Sequence, residues 1–117
     1  DRSAELAPLL EPARVQVRFL GFDADLSTAS IEADVVVSTV PSAALDGHES
    51  ALAHAPVLDV IYDPWPTRLT TAAAANGYLT VSGHVMLAHQ AFGQFEQFTG
   101  RPAPRDAMRQ ALEDSLR

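Results

Sequence analysis

Short apolar runs and longer stretches of helical spacing alternate along most of this chain. Leu6, Leu9 and Leu10 share one face of a predicted helix that Ser3 would cap and Pro12 would end, with Pro8 awkward inside it. Val15, Val17 and Phe19 then alternate with polar neighbours, the period-two signature of a strand over 15–20. A polar, turn-like stretch follows, and a short helix is predicted over 27–32. The run Asp34-Val35-Val36-Val37-Ser38-Thr39-Val40, closed by Pro41, suits a strand buried on both faces, as in parallel sheets. Residues 44–55 read as a helix weakened by Gly47, and 57–62 as the next strand, closed by Asp63-Pro64-Trp65-Pro66. Thr67 caps a helix through Ala72–Ala75 that Asn76-Gly77 ends in the left-handed manner. Tyr78–Val81 is a fourth short strand, and Ser82-Gly83 opens the longest helix, which reaches Thr99-Gly100. Pro104 starts a last helix on which Met108, Ala111, Leu112 and Leu116 form a stripe.

Strands alternating with helices across short loops imply right-handed parallel crossovers. The fold class expected is therefore α/β, a mainly parallel sheet of about four strands with helices on both faces. Composition fits one globular unit: 117 residues, 47% of them hydrophobic. A net charge of −7 repels a phosphate backbone, so no nucleic-acid partner is expected. Cysteine is absent, which excludes disulfides and thiolate metal sites, and the four histidines have no metal-ligand spacing, so no metal is expected. No apolar run has the length of a membrane span and no signal peptide opens the chain; a soluble, cytoplasmic protein is the expectation. The chain contains no lysine, so any chemistry that needs an ammonium must find it elsewhere. It opens on Asp1 rather than Met, directly before a helical stretch, and so reads as a piece of something longer.

In open α/β sheets ligands bind beyond the carboxyl ends of the strands. Here those ends are Ser38-Thr39-Val40-Pro41, Tyr62-Asp63-Pro64 and Ser82-Gly83. Gly83, Met86 and Gln90 are spaced by three and four residues and share a helix face, while Leu87, Ala91, Phe95 and Phe98 make a second stripe suited to packing. On spacing alone, the plainer reading is a core Met86 and a surface Gln90. Asp23 and Asp25 read as solvated turn residues, and Trp65 as a packing lid over its loop.

Three segments carry a resemblance. Asp59-Val60-Ile61-Tyr62-Asp63-Pro64-Trp65-Pro66-Thr67-Arg68-Leu69 is similar to the shikimate dehydrogenase pattern D-hydrophobic-hydrophobic-Y-N-P-x-x-T-P-L. Gly83-His84-Val85-Met86-Leu87-Ala88-His89-Gln90-Ala91 resembles that family's G-L-x-M-L-x-x-Q-A, and Phe95-Glu96-Gln97-Phe98-Thr99-Gly100 its F-x-x-[WF]-T-G. The variants at 63–67 and 89–92 look most like actinobacterial members. The resemblance implies a partial Rossmann-like, doubly wound fold. Residues 1–117 would be the C-terminal part of the NADP-binding domain, with its first two strands, glycine-rich loop and the N-terminal substrate domain outside the chain. It implies an oxidoreductase that reduces 3-dehydroshikimate to shikimate with NADPH in aromatic amino-acid biosynthesis. The catalytic Lys and Asp would belong to the missing N-terminal domain of the same protein, so the chain alone is expected to be inactive.

Residue by residue, the resemblance places Tyr62 and Gln90 against the substrate, and Val60, Gly83 and Met86 against the nicotinamide and its ribose. Ser38, Thr39 and Val40 stand where the family has N-A-T-P, so cofactor contact there would run through backbone, Val40 lacking the usual hydroxyl. Arg2 falls at the last arginine of N-R-T-x-x-R, whose guanidinium groups clamp the adenosine 2′-phosphate; an ordinary exposed arginine is equally consistent. His84 replaces a leucine, Asp63 an asparagine and Arg68 a proline. A paralogue acting on quinate and a non-catalytic α/β binding module remain as alternatives. The strand over 15–20, parted from its neighbours, must pair elsewhere, swap between two copies in a homodimer, or stay unpaired.

Overall fold

A computed structural model of the chain describes residues 3–10 and 14–117. Three short parallel strands form its sheet: β1 (Val36–Ser38), β2 (Val57–Asp59) and β3 (Thr80–Ser82), in the order β1-β2-β3. Val36, Val57 and Thr80 stand in register, as do Ser38, Asp59 and Ser82. The helices are α1 (Ser3–Leu10), α2 (Leu26–Ile31), α3 (Glu49–Leu52), α4 (Arg68–Ala75), α5 (Gly83–Thr99) and α6 (Arg105–Ser115), with one 3₁₀ turn at Ser42–Leu45. The α/β class and parallel order are as the sequence implies, with three strands in place of about four.

The correction concerns residues 15–20. They belong to no strand, and Val15, Val17, Phe19 and Leu20 are all exposed, from 46 to 61%. The physical reason is that alternation sets only a side-chain period; a strand also needs a neighbour to take its N–H and C=O groups. The neighbouring β1 likewise shortens to three residues, and its outer edge pairs with no strand among the described residues.

Other boundaries follow local chemistry. The helix expected over 44–55 splits into the 3₁₀ turn and α3, because Gly47 adopts φ +85° between them. Gly77, also left-handed, ends α4 as expected, and Gly100 ends α5. Thr67 caps α4 through a reciprocal capping box with Thr70.

The core lies on the sheet face that carries Val57. Leu45, Ala53, Val57, Leu69 and Ala73 are each at most 5% exposed and pack together, with Val36, Val40, Leu52 and Ala72 around them. On the opposite face Val37 is 53% exposed. Ser30, buried in α2, ties that helix to α3: its hydroxyl donates to the Leu52 carbonyl at 2.9 Å and accepts the His54 N–H at 3.1 Å. The α5–α6 hairpin is closed by Arg105 and Arg109, whose guanidinium groups lie over the Phe92 ring at 5.4 and 5.5 Å. No helix among the described residues is long and apolar enough to cross a membrane.

Asp25 caps α2, accepting the Thr28 N–H at 3.0 Å and the Thr28 hydroxyl at 2.7 Å. These bonds, the backbone one first, hold its carboxyl below the ordinary value of 3.8. A lowered folded pKa contributes stability above the unfolded value and loses it as pH falls through the folded one. The Thr28 amide resonance should therefore titrate with a midpoint below 3.8, and Asp25→Asn should abolish that titration.

Candidate functional site

The carboxyl ends of β2 and β3 meet the start of α5, and this junction organises the site. Gly83 opens α5 and is buried against the end of β2. Its N–H donates to the Ile61 carbonyl at 3.3 Å, and a Cβ placed on it would stand 2.0 Å from the Val60 carbonyl oxygen. Glycine is thus required here for the close approach of helix to strand. Met86 and Gln90 continue along α5 from this point, both exposed, with Met86 39% accessible. Neither is core; beyond the buried Gly83, the face they share is open.

Tyr62 leaves β2 three residues after its last paired position and is 45% exposed. Its ring lies 5.4 Å from that of His84, centroid to centroid. His84 Nδ1 is 3.2 Å from Ser82 Oγ, while His84 Nε2 is buried without a hydrogen-bond partner among the described residues. A cavity of about 400 Å³ opens here, bounded by Tyr62, Asp63 and Trp65 on one side and by His84, Leu116 and Arg117 on the other. A second groove, of about 410 Å³, runs between His84, Val85, Ala88 and His89 of α5 and Arg109 and Leu112 of α6. Helical spacing turns Met86 and Gln90 away from that groove.

The loop that holds Tyr62 is tied at both ends by one buried carboxylate. Asp59, 1% exposed, accepts the Ile61 N–H at 3.2 Å and the Thr67 hydroxyl at 2.8 Å. The Asp63–Pro64 and Trp65–Pro66 peptide bonds between these anchors are cis.

The end of β1 lies beside the end of β2, where the Val60 N–H donates to the Ser38 carbonyl at 3.0 Å. Ser38 is 6% exposed, and its hydroxyl has no hydrogen-bond partner among the described residues. Thr39 is exposed, whereas Val40 packs against the core cluster. The structure brings Ser38, Thr39, Val60, Tyr62 and Gly83 to one end of the sheet, while Met86 and Gln90 lie farther along α5. Arg2 lies outside the described residues. Two residues that the motifs did not single out for a role stand in the site: His84, beside Tyr62, and Asp59, beneath the loop. A charged residue inside an apolar strand, with a helix-capping Thr67 eight positions on, was the available signal for Asp59.

A family model described as the shikimate 5′-dehydrogenase C-terminal domain matches residues 83–113, the whole of α5 and most of α6. The solved shikimate dehydrogenase of Mycobacterium tuberculosis superposes with a TM-score of 0.88 at 46% identity, over 97% of this chain and 44% of that one. The chain is similar to shikimate dehydrogenases over nearly its whole length. It corresponds to the C-terminal part of these proteins. A Mycobacterium fortuitum shikimate 5-dehydrogenase gives a TM-score of 0.83 at 44% identity, over 94% of this chain and 42% of that one. The shikimate dehydrogenase (NADP(+)) of Symbiobacterium thermophilum is 35% identical across 97% of the chain. The chain spans 41% of the length of that relative. The two mycobacterial structures also bear out the resemblance to actinobacterial members.

Proposed function

We propose that this chain supplies the nicotinamide end and one substrate edge of an NADP-dependent shikimate dehydrogenase of the cytoplasm. The reaction is the reduction of 3-dehydroshikimate to shikimate in aromatic amino-acid biosynthesis. The observation that carries the reading is the packed junction of Gly83 on the Val60–Ile61 backbone, from which Tyr62 and the exposed Met86–Gln90 face both extend.

The residues present suit one end of the cofactor. Met86 offers a polarizable, adaptable apolar wall, Val60 a second apolar surface, and Ser38 an unsatisfied hydroxyl at the adjoining strand end. Ser38 and Thr39 would meet the cofactor beside Val60, with Val40 contributing backbone only, and Arg2 would take the 2′-phosphate. When bound, the cofactor supplies the hydride. The chain's own part is to hold and orient: the Tyr62 hydroxyl and the Gln90 amide each donate and accept, which matches a polyhydroxylated ring. Without lysine, the chain leaves proton transfer to groups on the N-terminal domain that it would partner. The open edge of β1 and the exposed Val15, Val17 and Phe19 are surfaces such a partner, or a second copy, would cover.

The test is a chimera that joins this chain to the N-terminal part of the M. tuberculosis enzyme. It should reduce NADP with shikimate, and the 117-residue chain alone should not. Tyr62→Phe and Gln90→Ala should each raise the KM for shikimate about tenfold, the value of one lost hydrogen bond of the stronger kind, and leave the KM for NADP unchanged. Turnover with quinate or NAD instead would overturn the specificity, and equal loss on both KM values would remove the roles given to Tyr62 and Gln90. A folded chimera without turnover on either substrate would sink the reading.

A further inference from the structure

We infer that Asp59 is a positioning residue: through Thr67 it fixes the loop that sets where Tyr62 stands. Asp59 closes β2 and is buried to 1% exposure, yet no cation pairs with it among the described residues. A buried carboxylate left without hydrogen bonds is costly, so its partners reveal what it holds. Both are at the margins of the Tyr62 loop. One oxygen takes the Ile61 N–H, one residue before Tyr62; the other takes the Thr67 hydroxyl, five residues after it.

Thr67 is itself immobilised, which turns the contact into a clamp. Its N–H donates to Thr70 Oγ1 at 3.0 Å, its hydroxyl oxygen accepts the Thr70 N–H at 3.3 Å, and its carbonyl accepts the Thr70 hydroxyl at 3.0 Å. Thr67 and Thr70 are 4% and 1% exposed, and Thr67 is the N-cap of α4. The loop from Val60 to Pro66 therefore leaves a strand and enters a helix whose ends are joined by one side chain. Everything between, including half-exposed Tyr62, hangs from that joint. A contact whose only task was to cap α4 would not need Asp59, because the box with Thr70 already supplies the cap. The extra carboxylate links the cap back to the sheet.

The catalytic consequence rests on the reading of Tyr62 as a substrate contact; the mechanical one does not. Trp65 is the single tryptophan of the sequence and lies inside the loop, so its fluorescence reports the loop directly in the 117-residue chain. The variants are Thr67→Val, which removes the hydroxyl at constant shape, Asp59→Ala, and Thr67→Ser as the conservative rescue. Ala73→Gly, in the middle of α4 and fully buried, is the control that weakens the same helix without touching the clamp. Losing a hydrogen bond to a carboxylate should make loop opening about tenfold more frequent. Thr67→Val and Asp59→Ala should then show stronger acrylamide quenching of Trp65 at unchanged far-UV circular dichroism. Thr67→Ser and Ala73→Gly should quench as the wild type does. In the chimera, Thr67→Val should raise the KM for shikimate with kcat and the KM for NADP little changed.

Equal quenching in Ala73→Gly, or none beyond wild type in both clamp variants, would show that Asp59 and Thr67 serve stability alone and overturn the proposal. So would loss of cooperative unfolding in both clamp variants. Raised quenching with an unchanged shikimate KM would leave the clamp standing and remove Tyr62 from the substrate site, which separates the two claims.

Discussion

Gly83→Ala should disrupt the junction on which the whole site is built. The added Cβ would meet the Val60 carbonyl oxygen at 2.0 Å and the Val60 carbonyl carbon at 2.6 Å, with the Ile61 carbonyl oxygen at 3.2 Å. All three atoms are backbone, and the strand they leave is held in the sheet by pairing on both sides. No side chain can swing aside to relieve the overlap, so the first turn of α5 must lift away. Overpacking of this kind costs on the order of 3 kcal/mol, at the upper end of the usual range because backbone has to move. The companion variant is Gly93→Ala, ten residues along the same helix, where a Cβ meets nothing within 4 Å. It should stabilise by about 0.5–1 kcal/mol, because alanine gives up less backbone freedom and favours helix. Urea midpoints of the two variants should move in opposite directions. Equal midpoints would mean that α5 is not seated on β2 as described.

The same glycine shows how far the sequence could be read. Spacing put Gly83, Met86 and Gln90 on one helix face, and the structure buries Gly83 while leaving Met86 and Gln90 open to solvent. The purpose assigned to the glycine changes: it brings helix to strand, since the Val60 and Ile61 carbonyls already occupy the space that its missing side chain leaves. Local signals located the elements well wherever the chemistry was local. Thr67, Gly77, Gly100 and Pro104 each mark a helix end within a residue or two of its place. Signals that depend on distant partners were not legible. Val15 to Leu20 alternates as a strand should, but no neighbour among the described residues takes its backbone groups. Asp59 reads in sequence as one motif letter. Its role emerges only once Thr67 folds back beneath it to 2.8 Å. His84 is similar: two rings 5.4 Å apart, contributed by a strand end and a helix start 22 positions on, leave no periodic trace.

Leu69→Ala should be the most damaging change in the core. The buried cluster contains only two leucines, Leu45 and Leu69, and one valine, Val57; the rest of its fully buried members are alanines. Leu69, 1% exposed, is therefore a large share of the apolar volume that joins α4 to the sheet. Alanine neighbours have no side-chain length with which to fill a gap, so the cavity would stay largely open. Leu→Ala changes in such sites cost about 2–5 kcal/mol, increasing with the residual cavity. A chain of this size has a total stability of about 5–15 kcal/mol. The variant should thus lose a large fraction of it. The functional consequence follows from position: Leu69 lies two residues after Thr67, so α4 cannot loosen without loosening the clamp on Asp59 and the Tyr62 loop with it. Leu9→Ala is the contrast, since Leu9 is 72% exposed on α1 and its truncation should fall within about 0.5 kcal/mol of wild type. Chemical denaturation of both variants, followed by far-UV circular dichroism and by Trp65 fluorescence, checks the argument. Leu69→Ala should lower both midpoints together. A fluorescence transition that stays at the wild-type midpoint while the helical signal moves would show that the loop is held independently of α4.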